Sequence, residues 1–110
     1  AIEDYIIPYG YGIVEDLVGH GIGQEMHEDP EVPNFTCTTR GPKLRENMTL
    51  AVEPMINMGT YAVRETDNGW TFVTEDGSYS AHYENTILIR KGEPEVLSLT
   101  EEEKKLYGVL

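Results

Sequence analysis

Cysteine occurs once in this 110-residue chain, at Cys37. An internal disulfide framework is therefore excluded, and the composition fits a reducing compartment. Positive charge is also scarce: 8 lysines and arginines stand against 20 aspartates and glutamates, a formal net charge of −12. That balance argues against non-specific binding to nucleic acid or an anionic membrane. Apolar runs extend only a few residues, too short for a transmembrane helix. The chain does not open with a basic segment leading into an apolar one, so a secretory signal is not expected and a cytoplasmic setting is. Repeats, low-complexity tracts and long Gly/Ser linkers are missing as well. With 39% hydrophobic residues, what remains is the composition of one modest globular domain. The excess of carboxylates has two readings, a solvated surface or ligands recruited for a cation.

Local pattern gives a strand-rich α+β chain with short helices at its ends. Ile2, Tyr5 and Ile6 fall at helical spacing, and Pro8 is expected to end that helix by disfavouring it at Ile7. β-Branched content suggests a strand over 13–18, followed by a flexible segment, Gly19-His20-Gly21-Ile22-Gly23. Residues 29–43 carry Pro30, Pro33, Gly41 and Pro42 and read as an excursion loop. A strand is expected over 49–57, with Leu50, Val52 and Ile56 on one face, and a hairpin turn at Thr66-Asp67-Asn68-Gly69, with a strand returning over 70–74. After a second turn at Glu75-Asp76-Gly77, one long strand is expected over 80–90. Thr100-Glu101-Glu102-Glu103 matches a capping box, with Gly108 as the helix stop. A chain that begins in mid-helix without an initiator Met looks like a cut piece.

Several polar residues sit where an ordinary core would not put them. Glu53 lies inside Leu50-Ala51-Val52-Glu53-Pro54-Met55-Ile56, where a carboxylate needs an opposite charge or a metal ion. Glu84 shares one strand face with His82 and Thr86 by period two, a face that on an antiparallel strand is commonly the solvated one. His20 stands between two glycines, whose missing side chains permit close approach to a ligand or a neighbouring strand. His27 follows in Met26-His27-Glu28-Asp29-Pro30, and the spacing is not the His-Glu-x-x-His of a zincin helix. No serine occupies a Gly-x-Ser-x-Gly elbow and Cys37 lies in a threonine-rich loop, so nucleophile-type hydrolysis is poorly supported.

The order Gly19-His20-Gly21-Ile22-Gly23, Met26-His27-Glu28-Asp29-Pro30, Val52-Glu53-Pro54-Met55 and Tyr83-Glu84-Asn85-Thr86 is more specific than its members. It resembles the C-terminal half of the methionine aminopeptidases of bacterial type, dinuclear metallopeptidases with a pita-bread fold. The resemblance covers essentially residues 1–110. It implies an α+β, antiparallel-sheet-rich half of that fold with short flanking helices. It further implies that His20 and Glu53 ligate one metal and that Glu84 bridges two. Glu53 would also relay protons, and His27 would polarise the scissile carbonyl or stabilise the tetrahedral intermediate. Trp70 would line the pocket for the methionine side chain, with Met26 at its wall. Imidazole with carboxylates suits Mn, Fe, Co or Zn.

The same resemblance implies N-terminal methionyl peptides and nascent chains as substrates, and a missing N-terminal half that would bring two aspartate ligands. Alone, the chain is expected to be inactive and to self-associate through the surface that half would cover. Three positions depart from the family pattern: Asn47 for a glycine, Asn85 for a histidine, and His82 for a glutamine. The last is expected to alter the surroundings of Glu84. Two alternatives are a non-catalytic pita-bread binding module, which should have shed its metal residues, and a prolidase-like peptidase, which should differ around Met55-Ile56-Asn57 and Trp70.

Overall fold

The computed structural model describes residues 1–110. In chain order it has a helix α1 (Ile2–Ile6), a 3-10 turn (Ile7–Tyr9), and strands β1 (Gly12–Ile13), β2 (Gly19–Gly21), β3 (Glu28–Val32), β4 (Thr49–Val52) and β5 (Met55–Asn57). Strands β6 (Val63–Glu65), β7 (Phe72–Thr74), β8 (Ser80–His82), β9 (Asn85–Leu88) and β10 (Glu95–Val96) follow, and helix α2 (Glu101–Tyr107) comes last. The α+β, antiparallel expectation holds. The chain divides into two compact units, each assembled from three segments.

The first unit comprises Ala1–Val18, Pro33–Cys37 and Glu53–Tyr83. It holds a three-stranded antiparallel sheet in the order β1-β5-β8 and the β6–β7 hairpin. The α-helix ends at Ile6 ahead of Pro8 as expected, but Ile7 remains right-handed at φ −51°, and the chain tightens into the 3-10 turn. Proline is tolerated there because the first turn of a helix has no partner for its N–H. Ile13 and Val14 are buried, but pairing covers only Gly12 and Ile13, so the strand expected over 13–18 is shorter and earlier. The hairpin turn stands as expected. The Asn68 side-chain oxygen accepts from the Trp70 and Thr71 amides at 3.1 and 2.9 Å, and Gly69 takes the left-handed φ of 80°. The returning strand starts at Phe72 rather than Trp70, because that clasp holds residues 68–71 in the turn.

Asp76, in the second turn, ties two loops of this unit together. Its carboxylate accepts from the Thr60 amide at 2.9 Å and the Ser78 amide at 3.0 Å. These hydrogen bonds, with that of the Ser78 side chain first among them, lower the Asp76 carboxyl to about 2. A carboxyl whose folded pKa lies below its unfolded value stabilises the fold above the unfolded pKa and stops doing so as pH falls through the folded one. The stability advantage of the wild type over Asp76→Asn is therefore expected in full at pH 6 and should vanish between about pH 4 and pH 2. Thermal unfolding of both proteins across that range checks it, and a constant difference would remove the carboxylate from the account.

The second unit comprises Gly19–Val32, Thr38–Val52 and Glu84–Leu110. Its five-stranded antiparallel sheet has the order β10-β9-β4-β2-β3, with Leu50 and Ala51 of the central strand buried. Gly19, His20 and Gly21, expected to be flexible, are instead a strand between β4 and β3. The glycines serve close packing. A Cβ at Gly19 would stand 2.3 Å from the Ala51 carbonyl oxygen, and one at Gly21 would stand 2.2 Å from that of Asp29. Residues 28–32 belong to β3, so the excursion loop is shorter than expected. Pro30 is accommodated because β3 is an edge strand, where a missing N–H breaks no ladder. Asn47 adopts a left-handed φ of 71°, which explains how asparagine can stand at a glycine position. At the C-terminal side, the Thr100 capping box is complete and Gly108, at φ 66°, ends α2.

Neither long strand is continuous. The strand expected over 49–57 breaks at Glu53-Pro54 into β4 and β5, and that over 80–90 breaks at Tyr83-Glu84 into β8 and β9. Each break is also the point where the chain passes from one unit to the other. Pro54 explains the first, because it has no N–H to give a ladder.

Candidate metal centre

Both metal-ligand candidates of the second unit are brought together. His20 lies on β2 directly opposite Ala51 of β4, and Ala51 lies opposite Thr86 of β9. Glu84 is two residues before Thr86, so period two puts it on the face that His20 occupies. Ala51 is fully buried between them and its methyl takes little space. The half-buried His20 and the exposed Glu84 present ligand atoms within 4.8 Å of each other. Two donors that share one ion, with bonds of about 2.1 Å each, would stand no more than about 4.2 Å apart. A small side-chain adjustment therefore suffices for both to reach a shared ion.

The tautomer of His20 fits a ligand. Its Nδ1 is 2.8 Å from the Gly21 carbonyl oxygen, and a carbonyl only accepts, so Nδ1 carries the proton. The lone pair is then on Nε2, the arrangement that a metal-bound imidazole uses when its other nitrogen is anchored to a carbonyl. The His27 ring is exposed in the bend between β2 and β3, with its centroid 4.2 Å from that of His20. His27 thus stands beside His20.

Glu53 is described within the first unit. It immediately follows Val52, the last residue of β4, and precedes Pro54. Its side chain is only 12% exposed, and its Oε2 lies 3.1 Å from His82 Nε2. An ionised carboxylate can only accept, so the imidazole N–H donates. The Glu53 carbonyl accepts from the side-chain amide of buried Asn34 at 3.4 Å. Within the first unit His82 reaches Glu53 because β8 pairs with β5, with His82 opposite Met55. Sequence reading missed Asn34 altogether, since nothing in its loop distinguishes it from an ordinary turn residue.

Trp70 and Met26 are less committed to a site. They are 77% and 71% exposed, Trp70 near the tip of the β6–β7 hairpin and Met26 in the bend after β2. A cavity of about 430 Å³ in the first unit is lined by Val14, Leu17, Met55, Phe72 and His82 among others, and Trp70 is not part of its wall.

Comparison with known proteins decides the family. The model of metallopeptidase family M24 matches residues 1–91. The chain belongs to metallopeptidase family M24. Its relatives within M24 include the methionine aminopeptidase of Clostridium acetobutylicum, 57% identical over 101 residues, which are 92% of this chain and 40% of that protein. Methionine aminopeptidase 1 of Bacillus subtilis is 44% identical over 81% of this chain and 36% of its own length. Among solved structures, the methionine aminopeptidase of Thermotoga maritima superposes with a TM-score of 0.85 at 44% identity, covering 90% of this chain and 40% of that one. That of Rickettsia prowazekii gives 0.83 at 39% identity, over 88% and 40%. This M24 chain therefore has the pita-bread architecture of those enzymes over the part it contains, and it spans about 40% of the length of the curated relatives it matches. Family M24 is a metallopeptidase family, in keeping with the paired donors of His20 and Glu84. No helix is long and apolar enough to cross a membrane.

Proposed function

We propose that this chain forms one part of a methionine aminopeptidase that removes the N-terminal methionine from methionyl peptides and nascent chains in the cytoplasm. In this reading His20, Glu53 and Glu84 bind divalent metal (Mn, Fe, Co or Zn), His27 faces the scissile bond, and Trp70 and Met26 contact the methionine side chain. The observation that carries the reading is the convergence of His20 and Glu84 within 4.8 Å on one sheet face. Glu53 is included because it interrupts an apolar run, where a carboxylate calls for an opposite charge or a metal ion. The names of the relatives support the substrate.

Bound divalent ions supply Lewis acidity, which makes water a nucleophile near neutral pH and polarises a peptide carbonyl. The chain's own groups divide the remaining work. A Glu53 carboxylate oxygen accepts the proton that water loses and passes it to the departing amine. The His27 imidazole donates a hydrogen bond to the carbonyl oxygen as negative charge develops there. Three ligands do not complete a two-ion centre, so the 110 residues alone are expected to be inactive. The part of the longer relatives that this chain does not span would supply the remaining ligands. The isolated chain is expected to self-associate through the surface that the rest of the enzyme would cover.

Incubation of the 110-residue chain with Mn and a Met-Ala-Ser peptide is expected to release no methionine, whereas the same chain joined to an N-terminal half from a relative should release it. Methionine release by the chain alone would overturn the claim of incompleteness, and failure of the joined protein would overturn the proposed activity. Sedimentation of the same preparation should show dimers or larger species.

A further inference from the structure

We infer that His82 is a positioning residue for the Glu53 carboxylate, acting through it on metal affinity. The inference rests on the reading of Glu53 as a metal ligand and adds the group that orients it. Glu53 follows the last residue of a strand and precedes a proline, so ladder hydrogen bonds do not confine its side chain. Two contacts within the first unit bear on its placement. Buried Asn34 holds the backbone through the Glu53 carbonyl, and His82 Nε2–H donates to Oε2 at 3.1 Å. His82 itself is anchored: it is the last residue of β8, in register with Met55, two residues beyond Glu53 on the neighbouring strand. Across an antiparallel pair such a diagonal neighbour lies on the same face and within reach of a long side chain. The imidazole therefore selects one orientation of the carboxylate before any ion arrives.

An outer hydrogen bond of this kind orients a ligand and raises the affinity of the site it serves. A glutamine at position 82 carries an N–H donor on a side chain of similar reach, so it can make the same bond to Oε2. An alanine cannot. His82 is 47% exposed, so truncation leaves no buried cavity to confound the result.

Isothermal titration of Mn into the chain joined to an N-terminal half from a relative, its His82→Gln and His82→Ala variants and Glu53→Gln separates the possibilities, with circular dichroism confirming that each is folded. The dissociation constant is expected to rise about 10- to 100-fold in His82→Ala and to stay within about threefold of wild type in His82→Gln. Wild-type affinity in His82→Ala, or equal weakening in both His82 variants, overturns the positioning role. No heat of binding in the wild type, or binding unaffected by Glu53→Gln, overturns instead the reading of Glu53 as a ligand, and the inference falls with it.

Discussion

Gly19→Ala is expected to destabilise the chain by about 3 kcal/mol or more, placing it among the most damaging single-methyl changes the fold can suffer. The added Cβ would stand 2.3 Å from the Ala51 carbonyl oxygen and 3.2 Å from the Val32 Cβ. A carbonyl of the central strand cannot swing aside as a side chain would, because its neighbours in the five-stranded sheet hold it. Relief requires separating β2 from β4, which removes His20 from its place opposite Ala51. Loss of stability and loss of metal affinity should therefore appear together. Gly41→Ala is the control: a Cβ there meets nothing within 4 Å, and the backbone does not need a left-handed conformation. Its effect should be neutral or stabilising by up to about 1 kcal/mol. Chemical unfolding of the two variants beside the wild type measures both numbers. Equal stabilities would mean that β2 does not pack as described.

Removal of a ligand should have the other large effect. Glu84→Ala and His20→Ala are each expected to weaken Mn binding by more than about 100-fold, beyond the range typical of losing an outer partner. Glu84 is exposed, so its loss should change stability in the absence of metal by less than about 0.5 kcal/mol. That contrast identifies a ligand rather than a structural residue. His27→Ala supplies the opposite pattern: affinity for the ion retained, turnover lost once the chain is joined to an N-terminal half from a relative. Mn titration together with metal-free thermal unfolding makes the comparison. Unchanged affinity in Glu84→Ala would remove Glu84 from the site.

How much of this was legible in the sequence depends on how local each feature is. The Asn68-Gly69 turn and the Thr100 capping box appeared as expected because each is made by residues within a few positions of one another. The ligand candidates could be named because Glu53 interrupts an apolar run and His20 sits between glycines. The α-helix ends at Ile6 ahead of Pro8 as expected, but a short 3-10 turn accepts the proline and keeps Ile7 right-handed. Gly19-His20-Gly21 looked flexible because glycine's freedom is a local property, whereas the need for close strand approach belongs to the neighbours.

The sequence by itself determined the family, the α+β class, the caps and turns, and the small set of residues from which a metal centre could be drawn. Tertiary structure alone decided where the two long strands end. Period-two alternation runs on past Tyr83-Glu84 without a mark, and even at Pro54 only the change of pairing partner shows that the glutamate stands where one sheet's strand stops and another's begins. Register also brought the His82 ring to Glu53, because β8 lies beside β5. Chemistry is carried by residue type, which a sequence states outright; the pairing of distant strands is set by the burial and hydrogen bonding of the whole sheet, which no local window contains.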